Sequence, residues 1–128
     1  MTLSSILTTK VASLTAVTAL IGTNPMRWYP QTYGQNPVYP LIIYYVIDGT
    51  DTYAHSGFSG LVDIRVQLSI WAKKFIECEN VLVALQDGFR GLREGTIDRC
   101  FCVDHGSDYN ETTLTHKRYL DLMIGYRP

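Results

Sequence analysis

Charge is scarce in this 128-residue chain, at 18% Asp, Glu, Lys and Arg with a formal net of -1; an average soluble domain carries roughly 25%. No lysine or arginine run stands out, so the electrostatic footprint that phosphate backbones require is missing. Cysteine is limited to Cys78, Cys100 and Cys102. That odd number, without framework spacing, argues against a disulfide-stapled scaffold and for free thiols in a reducing compartment. No glycine-rich phosphate loop follows a strand-like run. Gly57-Phe-Ser-Gly60 fails as a nucleophile elbow, because residue 61 is Leu and a strand-like run follows instead of a helix. Cys100, Cys102, His105, Asp108 and His116 lack the two close pairs of a structural zinc site. The sequence therefore offers no catalytic residue, no cofactor and no metal. The apolar run Val11–Ile21 is too short and too rich in Thr and Ser to span a bilayer. It also lacks the basic flank and cleavage site of a signal peptide, so a soluble protein made in the cytoplasm is expected.

What the chain does have is aromatic and apolar surface: nine Tyr, four Phe and two Trp in 46% hydrophobic residues. Few charges combined with many aromatics suggest a surface covered in part by a partner. The length suits one domain over residues 1–128.

Leu3, Ile6, Leu7, Val11, Leu14, Val17, Leu20 and Ile21 recur at helical spacing and predict one amphipathic helix, ended by Gly22. A short strand is expected near Met26–Tyr29. Leu41–Ile47 is a continuous β-branched and aromatic run, suited to a strand covered on both faces. The polar, glycine-containing stretch Asp48–Gly60 reads as a long loop. The clearest pattern is Leu61–Trp71, where Val62, Ile64, Val66, Leu68 and Ile70 alternate with Asp63, Arg65, Gln67, Ser69 and Trp71. A second helix is predicted over Ala72–Phe89 from Phe75, Cys78, Leu82, Leu85 and Phe89. Strands are expected at Thr96–Val103 and Arg118–Tyr126, separated by a polar loop Asp104–Thr115. The order predicts an α+β fold: a mostly antiparallel sheet of four to five strands with two helices on one face.

Trp28, Tyr29, Tyr33, Tyr39, Tyr44 and Tyr45 form an aromatic cluster with three readings. Tyr44 and Tyr45 can pack in the core, the cluster can form a subunit interface, or it can stack bases. The lack of interleaved basic residues weighs against the last.

Four segments resemble the tail-completion, or tail terminator, proteins of long-tailed phages. These are Leu20-Ile-Gly22 with Arg27–Tyr29, the run Pro40-Leu-Ile-Ile-Tyr-Tyr-Val-Ile-Asp-Gly49, the segment Gly60-Leu-Val-Asp-Ile-Arg-Val-Gln-Leu-Ser-Ile-Trp-Ala72, and Thr115–Tyr126. Arg65-Val-Gln67 with Trp71-Ala72 is the distinctive part. Residues 104–115 show no matching pattern. The resemblance implies a non-enzymatic homo-oligomer, typically a hexameric ring, in the tail or neck of a virion. Such a ring caps the tail tube protein and docks on the head–tail connector, with DNA passing through unbound. It implies Arg65, Gln67, Trp71, Tyr44 and Asp63 as subunit-interface candidates, with contacts also from the segments 48–60 and 104–115. The rival readings are another neck or tail-tube component on a similar scaffold, and a small enzyme or nucleic-acid module.

Overall fold

The computed structural model describes residues 3–23, 26–31, 37–54, 57–93 and 97–126, with 48–54, 57–61 and 98 described by backbone alone. Helices α1 (Leu3–Ser13) and α2 (Thr15–Ile21) come first, then strands β1 (Trp28–Pro30), β2 (Leu41–Ala54) and β3 (Gly57–Ala72). Helix α3 (Phe75–Phe89) and strands β4 (Ile97–Asn110) and β5 (Thr115–Tyr126) complete the order. The five strands form one sheet in the order β1-β2-β3-β5-β4. Every neighbouring pair is antiparallel except β1–β2. The predicted α+β class and mostly antiparallel sheet are therefore present.

The expected single helix Leu3–Ile21 is two helices meeting at 90°. Leu14 breaks the run by adopting extended backbone (φ -87°, ψ 95°), and α2 restarts behind it. The apolar stripe survives the bend: Leu3, Leu7, Val11, Val17 and Ile21 are buried in one core with Val66, Leu68 and Ile70. Helix α3 adds Cys78, Val81, Leu82, Leu85 and Phe89 to the same core. No single helix among the described residues is long and apolar enough to cross a membrane. Two side chains fasten the N-terminal part to the sheet. Arg27 donates to the Pro40 and Leu20 carbonyls at 2.7 and 2.9 Å. Trp28 stacks on Tyr44 with ring centroids 4.5 Å apart while its Nε1 donates to Thr8 Oγ1.

Both predicted long loops turn out to be largely strand. The stretch Asp48–Gly60 forms the end of β2 and the start of β3, paired as far as Ala54–Gly57. Residues 57–61 of β3 pair with β2 alone, because β5 joins β3 only from Val62 onward. A two-stranded arm therefore projects beyond the body of the sheet. Likewise Asp104–Asn110 pairs with β5, leaving only Glu111–Leu114 as a turn. Asn110 Oδ1 closes that turn by accepting from the Thr112 and Thr113 amides. Polar composition suggested loops, whereas the cross-strand hydrogen bonds come from a partner strand that composition does not reveal.

Candidate assembly interface

Strict alternation places Val66, Leu68 and Ile70 of β3 under the helices and turns Asp63, Arg65, Gln67, Ser69 and Trp71 to the opposite face. The described helices contribute to the core on the first face alone. On the second face, register brings Arg65 beside Met123, Gln67 beside Asp121, Ser69 beside Tyr119 and Trp71 beside Lys117. β4 adds Phe101 next to Met123 and Asp104 next to Asp121.

This face is polar but internally paired. Arg65 donates to Asp121 Oδ2 at 2.7 Å, and that hydrogen bond, with the carboxylate charge, raises the guanidinium pKa further. Arg99 grips Asp63 through both carboxylate oxygens, at 2.7 and 2.9 Å. The pair has to cross β5, and Gly125 lies between the partners in register. A Cβ at Gly125 would sit 2.8 Å from Arg99 Cγ and Nε, so only glycine leaves this bridge its room. Gly106 serves the Tyr119 ring in the same way, since the ring occupies the place where a Cβ would stand.

Four side-chain atoms among the described residues are buried without a hydrogen-bond partner: Arg65 Nε, Ser69 Oγ, Trp71 Nε1 and Asp121 Oδ1. All four belong to this one face. An unpaired buried polar group costs about 1–3 kcal/mol; these four atoms are shut off from solvent within the single chain. Trp71 also lines a cleft of about 230 Å³ with Asp108, Tyr109, Asn110, Glu111 and Lys117. The Lys117 ammonium sits 5.3 Å from the centre of its ring.

Of the five candidate residues, four (Asp63, Arg65, Gln67 and Trp71) share this face. Tyr44 does not: it lies under the helices on Trp28, 7% exposed. Of the rest of the aromatic cluster, Trp28 is likewise in the core, and Tyr33 lies outside the described residues. Ser69, Asp121, Arg99 and Tyr119 belong to the face but were not singled out from sequence. Asp121 was detectable, because it interrupts the apolar positions Leu120, Leu122 and Ile124. Arg99 was hidden by a register shift between Ile97 and Arg99. That bulge puts Ile97 and Cys100, three residues apart, together in the core, which an unbroken strand would not do.

Burial pushes the Cys78 thiol up to about 11 and Cys100 up to about 12, and it raises Cys102 as well. Cys100 and Cys102 pack into the chain's own core. No group of three or more His, Cys, Asp or Glu residues suited to a metal occurs among the described residues.

The family model described as "Tail completion protein gp17" matches residues 6–127. The chain belongs to this tail-completion family. It is accordingly a tail structural protein, placed in the virion tail. Among solved structures, 29 chains match. One, titled "Virion of native gene transfer agent (GTA) particle", superposes with a TM-score of 0.79 at 14% identity. The alignment covers 98% of this chain and 95% of that one, and at this identity it speaks for the fold. No curated protein matches the chain.

Proposed function

We propose that this tail-completion protein is a non-catalytic ring subunit that caps the tail tube and joins it to the head connector. The observation that carries the reading is the tail-completion family match over residues 6–127, and the helix-free sheet face, on which Arg65 and Phe101 stay partly exposed, is the surface offered to a neighbour. A neighbouring copy covers the exposed apolar and polar groups of that face. Arg65, Gln67 and Trp71 form the centre of that contact, with Asp63 at its edge. Trp and Arg are the residue types that dominate protein interfaces. The β2–β3 arm, projecting beyond the sheet, reaches the next ring in the stack, either the tail tube or the connector. A closed ring, six copies being the family's usual number, leaves a central passage. The near-neutral chain suits a passage that DNA crosses without being held.

The test is complementation of particles lacking the subunit. Purified parent protein is expected to restore joined heads and tails, whereas a folded Arg65→Glu/Trp71→Ala variant is expected to remain unassembled and fail. A variant that assembles and complements as the parent does would overturn the interface assignment.

A further inference from the structure

An antiparallel sheet ends in strands whose outward N–H and C=O groups can template a further strand. One edge here is β1, three residues long and finished by Pro30, which has no N–H to offer. The other is β4, fourteen residues long and flanked by apolar groups: Phe101, Val103 and Tyr109 are 54%, 51% and 43% exposed. That is the composition of an edge inviting uncontrolled pairing, and its backbone directions can be traced across the sheet.

The Ile42 amide donates to Arg27 and the Tyr44 carbonyl accepts from Gln31, so the even residues of β2 turn toward β1. Directions alternate along each strand. The odd residues of β2 therefore turn toward Trp71, Ser69 and Gln67, and the even residues of β3 toward β5. The odd residues of β5 then meet Asp104, Gly106 and Asp108, which leaves His105, Ser107 and Tyr109 pointing their N–H groups outward. Two of those three are occupied. The His105 amide donates to Asp104 Oδ1 at 2.9 Å and the Tyr109 amide to Asp108 Oδ1 at 2.8 Å. Ser107 follows Gly106, which has no side chain to offer. Nearer the start of β4, the outward Cys100 carbonyl accepts from Gly91 at 3.1 Å. A bulge between Cys102 and Asp104 breaks what remains of the edge.

We propose that Asp104 and Asp108 guard the β4 edge, each using its carboxylate to occupy the next residue's outward N–H and so close the edge to a strand from a second copy of this chain. Strand addition at the β4 edge is thereby suppressed, while the face of the sheet stays available. The inference is independent of the ring reading.

In light scattering of the concentrated protein, Asp104→Ala/Asp108→Ala is expected to form at least about three-fold more open-ended, dye-binding β aggregate than the parent. Asp104→Asn/Asp108→Asn keeps a carbonyl acceptor at each position and is expected to behave as the parent. A folded alanine variant with the parent's mass distribution would overturn the guard, as would an asparagine variant that aggregates like it. Amide exchange on the unmodified chain gives a reading that needs no variant. His105 and Tyr109 are expected to exchange at least about ten-fold more slowly than Ser107. Equal rates at the three amides would contradict the assignment.

Discussion

Gly125 shows how much of the helix-free face depends on a single missing side chain. Asp63 and Arg99 meet over it, and a methyl group there would press on the Arg99 side chain. Gly125→Ala is expected to lower stability by about 1–3 kcal/mol in chemical denaturation. The loss should shrink in the Arg99→Ala background, where the crowding is gone, because neighbouring substitutions couple. The buried thiols give a second residue-level prediction. Below the ordinary thiol value of 9.0 they are protonated in both folded and unfolded chains, so their contribution is constant. Above it the unfolded chain releases protons that Cys78 and Cys100 retain until about 11 and about 12. Stability is therefore expected to fall as pH climbs through that window. Thiol alkylation of the folded protein at pH 8 is expected to run more than about ten-fold slower than in denaturant.

At the scale of elements, the legible parts were those whose burial is one-sided. β3 declared itself because one face packs under helices and the other carries Asp63, Arg65 and Gln67. The apolar spacing of α3 was equally plain, and its core residues set the cost of damage. Phe89→Ala is expected to cost about 3–5 kcal/mol, since the ring is fully buried. What sequence did not reveal were bends and bulges. Leu14 sits in the apolar stripe on either side of the 90° corner, so periodicity runs through it unbroken. The bulge before Arg99 shifts parity by one residue, so Ile97 and Cys100 share the core. The polar ends of β2, β3 and β4 read as loops because the strand that pairs each of them leaves no mark in its own composition. Beyond Val62 the β2–β3 arm pairs only with itself, so it can be shortened. Replacing residues 52–61 by an Asn-Gly turn between the paired Asp51 and Val62 is expected to change stability by less than about 1 kcal/mol. The same deletion is expected to abolish attachment to tails in a complementation assay.

For the whole molecule, the sequence carried the family likeness through the segment Arg65-Val-Gln67 with Trp71-Ala72, whose Arg65, Gln67 and Trp71 lie on the helix-free face while Val66 and Ala72 lie in the core. It did not carry the face itself, which is assembled from β3, β5 and β4 and needs the sheet order to exist. Asp121 becomes a neighbour of Arg65 and Gln67 only through that order. Low charge and exposed aromatics agree with the proposed surface covered by another copy. Particle mass and negative-stain images of the purified protein at high concentration, taken beside the Arg65→Glu/Trp71→Ala variant, test this most directly. Closed rings of uniform mass for the parent and folded monomers for the variant are the expected result; a parent that stays strictly monomeric, or a variant that forms the same rings, would contradict it.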